Sequence, residues 1–336
     1  MSDKTDGVVV RELLSPLAVF LADRSLYEVI VNRPGEVLTE GPKGWSVHSV
    51  PDLTFEKLMR LARAIATFSN QSIDEKRPIL SATLPNNERI QIVIPPATTN
   101  GTVSITIRKP SSLDLTLTDL ENGGFFSEAI SCMTATKQDT NLAALYKNGA
   151  YMEFLRQAVI ARKNIVISGA TGSAKTTLSK ALIKHIPNNE RVISIEDTPE
   201  LALPQPNHVR LYYSKGGQGL SGAGPRELLE SCLRMRPDRI LLQELRDGTA
   251  FYYIRNVNSG HPGSITTVHA GSAELAFEQL ATLVKESDPG RDLERSEVLA
   301  SLLIAIDIIV QCKRIDGAFR ATEIYYRDAA IRQCVN

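Results

Sequence analysis

A chain of 336 residues, 43% of them apolar and 23% charged, has the makeup of a folded globular protein of about two domains. Collagen, coiled-coil rods and disordered tails are thereby excluded. Lys plus Arg and Asp plus Glu each number 38, so the broad positive field that sequence-independent nucleic-acid binding requires is missing and direct nucleic-acid binding is disfavoured.

The four cysteines, Cys132, Cys232, Cys312 and Cys334, are scattered and form no metal or disulfide framework, which suits a reducing compartment. Residues 1–7 are polar, unlike a secretory signal, and no apolar run nears the ~18 residues of a spanning helix. Val10, Leu13, Leu14, Leu17, Phe20 and Leu21 share one face at helical spacing. Strands are expected over 27–32, 36–40 and 45–50, separated by Pro-Gly and Gly-Pro-Lys-Gly turns. Residues 54–68 form an amphipathic helix through Leu58, Leu61, Ile65 and Phe68, and further strands follow over 79–84, 89–94 and 102–109. Strands joined by tight turns imply an antiparallel sheet, hence an α+β domain over 1–110. Residues 111–150, dense in Ser, Thr, Asp and Asn and broken by Gly123–Gly124, read as a hinge with one or two short helices.

From 151 to 336 helix and strand patterns alternate. Helices are expected over 153–161, 176–185, 225–235, 248–258 and 273–285. Strands fall over 164–168, 191–195, 239–243 and 263–269, with a Gly-rich loop at 214–224 and a last apolar segment at 298–310. That alternation predicts an α/β domain with a mostly parallel sheet covered on both faces.

Between the strand at 164–168 and the next helix runs Gly169, Ala170, Thr171, Gly172, Ser173, Ala174, Lys175, Thr176, Thr177. Strand, Gly-rich turn and helix in that order form a phosphate-binding loop, whose backbone N–H groups wrap phosphates at the positive end of the helix. Lys175 reaches the β- and γ-phosphates there, and the Thr176 hydroxyl holds Mg²⁺. Ala174 departs from the pattern, which has glycine before the lysine. If φ is positive at Ala174, its methyl costs on the order of 1–2 kcal/mol, leaving either a tolerated variant or a crippled loop. Glu196 and Asp197 end one apolar strand, Glu244 ends a second and His269 a third. Ligands in open α/β sheets gather at such strand ends, so these groups are candidates to hold the Mg²⁺ shell, to orient or deprotonate water, and to sense the γ-phosphate. Arg89 and Arg108, on N-terminal strands, are in themselves ordinary strand arginines.

Taken together, residues 169–177, 195–201 (Ile-Glu-Asp-Thr-Pro-Glu-Leu), 233–247 (Leu-Arg-Met-Arg-Pro-Asp-Arg-Ile-Leu-Leu-Gln-Glu-Leu-Arg-Asp) and 260–270 (Gly-His-Pro-Gly-Ser-Ile-Thr-Thr-Val-His-Ala) resemble the ordered motifs of hexameric traffic ATPases of bacterial type IV secretion systems. Residues 31–37 and 104–110 are similar to the same family, so the resemblance spans nearly the whole chain. It implies a RecA-like C-terminal domain that uses ATP and Mg²⁺, with Lys175 and Thr176 in the Walker A loop. It makes Glu196 the water activator beside Asp197, Glu244 the Walker B residue near Mg²⁺, and His269 the histidine-box residue. Arg89 and Arg108 become the N-terminal arginines that meet the γ-phosphate. It further implies a homohexamer, peripheral on the cytoplasmic face of the inner membrane beside other ATPases and inner-membrane subunits. Such a ring powers substrate transfer or pilus biogenesis by moving its N-terminal ring against its C-terminal ring. Two alternatives stand beside this: a non-hydrolysing ring scaffold disabled by Ala174, and a type II secretion or pilus-retraction motor, whose usual four-cysteine module these cysteines do not build.

Overall fold

The computed structural model describes residues 2–110, 116–127, 137–214 and 219–329; Cys132 and Cys334 lie outside them. Helices α1 (Ser2–Leu13) and α2 (Ala18–Ala22) precede strands β1 (Glu28–Val31), β2 (Glu36–Gly41) and β3 (Gly44–Ser49). Helix α3 (Phe55–Phe68) then leads to β4 (Ile79–Thr83), β5 (Arg89–Val93) and β6 (Ser104–Arg108). The six strands form one antiparallel sheet in the order β3-β2-β1-β6-β5-β4, as expected. Thr54 caps α3 by accepting from the Lys57 N–H at 3.3 Å. Leu58, Leu61, Ala62, Ile65 and Ala66 then face one way at 3.6-residue spacing and pack on Val29, Val31, Ile90, Ile92, Ile105 and Ile107.

Within the expected hinge, α4 (Leu117–Asn122) and α5 (Lys137–Lys147) form; residues 111–115 and 128–136 are outside the described set. Leu142 of α5 is fully buried with Phe154, and the Tyr146 hydroxyl donates to Ile324 O at 2.7 Å, so α5 packs into the C-terminal core.

The C-terminal region runs α6 (Tyr151–Ile160), β7 (Ile165–Gly169), α7 (Lys175–Ile183), β8 (Val192–Glu196), β9 (His208–Tyr212), α8 (Pro225–Cys232) and β10 (Arg239–Leu242). After these come α9 (Thr249–Asn258), β11 (Ile265–Val268), α10 (Ala273–Lys285), α11 (Asp288–Arg291), α12 (Arg295–Ala305), β12 (Ile308–Ile315) and β13 (Ala318–Tyr326). Strands β10-β8-β9 are parallel, as are β11-β7-β12, and β13 closes the second group antiparallel to β12. The groups meet where Ser264 Oγ donates to Ile240 O at 2.7 Å and the Leu245 N–H to Thr267 O at 2.9 Å. Because β7, β8, β10 and β11 all point one way, their carboxyl ends open on one edge, and that fixes where the site lies.

Two expectations are corrected here. The apolar segment at 298–310 is the helix α12 followed by the start of β12, and strands β9 and β13 stand where none was expected. Residues 319–322 of β13 face solvent, so it carries little apolar alternation; its signal was the Asp316-Gly317 turn, with φ of 49° and 78°, the positive values a two-residue hairpin demands.

The far face of the N-terminal sheet lies on the C-terminal region, which explains its buried polar residues Glu28, Gln91, Ser104 and Thr106. Gln91 Nε2 donates to Ser231 Oγ at 2.9 Å, and the Tyr212 N–H to Ala97 O at 3.0 Å. Arg191, 0% exposed, sits at the centre of the joint. It donates to Met235 O at 2.8 Å, Asn32 Oδ1 at 2.8 Å and Asn207 Oδ1 at 2.5 Å, with Thr106 Oγ1 at 3.4 Å. Burial pushes its guanidinium down to about 10, against the pull of Glu28 and Asp238. Val93 and Ala97 complete the joint by entering the C-terminal apolar core.

Candidate functional site

The strand β7 is buried along its whole length between β11 and β12, and the chain leaves it at Gly169 with no room for a side chain. A Cβ there would meet Ser173 Oγ at 2.4 Å and the Cys312 carbonyl at 2.5 Å. The loop then turns through Gly172 (φ 73°) and Ala174 (φ 73°, ψ 23°) before α7 begins at Lys175. Ala174 therefore sits in the left-handed region, where an L side chain is strained by about 1–2 kcal/mol. For Ala174→Gly the relief is partly offset by the ~0.4–1 kcal/mol of extra unfolded-chain entropy that glycine brings. The expected result is a small gain in thermal stability and tighter nucleotide binding, read by calorimetry beside the parent. Weaker binding in the glycine variant would show that the methyl is accommodated without strain.

Lys175, 8% exposed, donates from Nζ to Gly169 O at 2.8 Å and Ala170 O at 3.0 Å, and lies 3.3 Å from His269 Nδ1. Burial lowers its pKa while Glu244 opposes that shift. Glu244 follows β10 and His269 follows β11, and His269 Nε2 lies 2.8 Å from Glu244 Oε1. That approach is off the line of a hydrogen bond, and Oε1 is a buried acceptor without a donor. Ser173 Oγ is a second buried polar atom without a partner in the same place. Lysine, loop, glutamate and histidine thus share one cavity of about 460 Å³, which Thr176, Glu200, Arg246 and Phe319 also line.

Glu196 lies apart from these groups. Its side chain is 0% exposed and is not part of that cavity. Oε1 accepts from Ser194 Oγ at 2.7 Å and Arg210 Nε at 3.0 Å; Oε2 accepts from the Glu200 and Leu201 N–H groups at 2.9 and 2.8 Å and from Arg210 Nη2 at 3.0 Å. A carboxylate with five donors has no lone pair left for water. Glu200, exposed and four residues on, is the carboxylate of that run that faces the cavity. Asp197 is held by Arg246, whose Nη1 donates to Oδ2 at 2.5 Å, and whose Nη2 donates to Glu244 Oε2. Neither Arg246 nor Glu200 was singled out by sequence. Arg89 and Arg108, opposite each other in the β5–β6 register, are exposed and line a separate cavity of about 410 Å³ with Arg234 and Arg236. Within one chain the structure does not bring them to the phosphate loop. Arg108 Nε lies 3.4 Å from Glu28 Oε1, a carboxyl that burial pushes up to about 7.

The model of the family described as type II/IV secretion system protein matches residues 12–336. A VirB11 type IV secretion system protein of Bartonella quintana is 57% identical over 97% of this chain and 95% of its own length. Its counterpart from Brucella suis is 45% identical over the same shares of the two chains. The crystal structure of the VirB11 ATPase of the Brucella suis type IV secretion system, in complex with sulphate, superposes with a TM-score of 0.92 at 43% identity, covering 98% of this chain and 99% of the other. The chain belongs to the type II/IV secretion system protein family and is a type IV secretion ATPase of the VirB11 kind.

Proposed function

We propose that ATP is bound and hydrolysed in the cavity at the phosphate loop, and that the energy drives substrate transfer or pilus biogenesis. The observation that carries this reading is the convergence of Lys175, Glu200, Glu244 and His269 on one loop-lined cavity, with Ser173 Oγ buried and unpartnered in it and Glu244 Oε1 buried beside His269 Nε2 without a hydrogen bond. Backbone N–H groups at the start of α7 and the Lys175 ammonium bind the phosphates. To do so Lys175 gives up its contacts with Gly169 O and Ala170 O. Burial lowers its pKa and the Glu244 carboxylate opposes that shift. His269, bridging Lys175 and Glu244, reads whether a γ-phosphate has drawn the lysine away.

Thr176 and Glu244 fit Mg²⁺, as oxygen donors with one buried acceptor free. The ion, when bound, offsets charge on the β- and γ-phosphate oxygens. Glu200 holds and deprotonates the attacking water, the task that Glu196, saturated beneath it, has no free oxygen to perform. Glu200→Gln is expected to keep nucleotide affinity and to hydrolyse at least about 100-fold more slowly, the usual worth of a positioned general base. Parental turnover in that variant would return the role to another group. Glu244→Gln is expected to bind ATP and turn over slowly as well.

Ala174 does not favour the scaffold alternative. A strain of about 1–2 kcal/mol is small beside the many contacts that phosphates make in such a loop. Arg89 and Arg108 act in the cavity of a neighbouring copy, which fits a homohexamer: in their own chain they stand exposed and side by side, away from the phosphate loop, with Arg108 beside Glu28. Residues 1–110 and 151–336 are the two domains, joined through 111–150. Among the described residues no helix is long and apolar enough to cross a membrane, which suits a ring held peripherally, on the cytoplasmic face of the inner membrane, by other ATPases and inner-membrane subunits.

A further inference from the structure

We propose that Arg246 is a positioning residue for the metal-dependent part of nucleotide binding. Its guanidinium grips two carboxylates at once and so keeps one oxygen of Glu244 turned toward the phosphate loop. The inference rests on the ATPase reading above.

The geometry is a fork. Arg246 Nη2 donates to Glu244 Oε2 and Nη1 to Asp197 Oδ2 at 2.5 Å. Asp197 is fixed in turn, because its N–H donates to Gln243 Oε1 at 3.2 Å. With Oε2 occupied, the free acceptor of Glu244 is Oε1, buried, without a hydrogen-bond donor, and turned to the side of His269 and Lys175. A carboxylate on a short side chain rotates about its last bond unless one oxygen is held. Once that oxygen is held, the other is presented to an incoming cation with only the His269 imidazole, 2.8 Å away, to be displaced. The pairing also explains how Glu244 and Asp197 share one mouth in the absence of a divalent ion: the guanidinium between them offsets both charges. Arginine suits this place and lysine does not, because two nitrogens in one plane address two acceptors whereas an ammonium is a single point charge. Arg246 touches no reacting atom in this arrangement; it acts through Glu244.

The discriminating quantity is the Mg²⁺ enhancement: the ratio of the Kd of a fluorescent ADP analogue in chelator to its Kd in saturating Mg²⁺. No turnover is involved. For Arg246→Lys the enhancement is expected to fall at least about fivefold, as expected for loss of one arm of a charge-assisted pair. Affinity in chelator stays within about twofold of the parent, since no phosphate contact is removed. Asp197→Asn, which leaves Arg246 in place but removes its second anchor, moves the enhancement the same way. A merely structural role would lower the melting temperature and leave the enhancement untouched. If either variant retains the parental enhancement, the proposal falls while the ATPase reading stands. If Arg246→Lys loses affinity equally in chelator and in Mg²⁺, Arg246 is a direct phosphate ligand and the positioning role is overturned. If the parent chain itself binds no nucleotide, the ATPase reading fails first and takes this proposal with it.

Discussion

Lys175→Ala lowers ATP turnover by at least about 100-fold, the loss seen when one preorganised electrostatic partner of a transition state is removed. The side chain is 8% exposed, and its bonds are to its own loop and to His269, so the variant keeps the fold and its assembly. Loss of turnover is therefore not a loss of structure. A colorimetric phosphate assay beside size-exclusion chromatography separates the two. Turnover within about tenfold of the parent would remove Lys175 from the phosphates and with it the assignment of the loop. The same variant tests where Arg89 and Arg108 act. Chains carrying Lys175→Ala, mixed with chains carrying Arg89→Ala and Arg108→Ala, regain part of the lost turnover when intact loops meet intact arginines from the neighbour. If the arginines served their own chain, no mixture would recover activity.

Arg191→Ala costs about 3–5 kcal/mol of stability, in the range measured when a buried charge network loses one member. Three of its acceptors, Asn32 Oδ1, Asn207 Oδ1 and Met235 O, lie within 2.8 Å of the guanidinium, in a joint sealed from water. Each keeps its desolvation cost after the donor is gone. The side chain also leaves a void between the N-terminal sheet and β8. Urea unfolding monitored by circular dichroism measures the change, and hydrogen exchange at β1 and β6 shows it first. A loss below about 1 kcal/mol would mean that the flanking asparagines re-pair through water and that the guanidinium is dispensable.

The phosphate loop, the parallel strands and the edge on which their ends converge were all legible in sequence, because each depends on local order: apolar run, Gly-rich turn, helix start. Even the cost at Ala174 was stated in advance as a condition on φ, and φ is 73°. Glu244 was legible too, at the end of its strand; what escaped was Glu200. In the run Ile195-Glu196-Asp197-Thr198-Pro199-Glu200, the family resemblance pointed to the first glutamate, but β8 is buried on both faces and Glu196 is its last residue. Its side chain shares a face with Ser194, two residues back, and bonds to it inside the protein. Parity along the strand was the available clue; the free glutamate had to lie beyond the turn. Arg246 escaped for a different reason. It pairs with Asp197, 49 residues away, and such a distance has no local signature. The arginines of β5 and β6 were named by resemblance, and only the three-dimensional arrangement shows that they line a cavity separate from that of their own loop.

The joint around Arg191 has a mechanical consequence. A part that transmits force yields first at its softest contact, and this contact is stiff: Gln91 to Ser231, Ala97 to Tyr212, Asn32 to Asn207, and Glu40 to Arg236 clamp it at several points, with Val93 and Ala97 keyed into the opposite core. A displacement at the phosphate loop would therefore reach the exposed far strand β3 with little lost to bending at this joint.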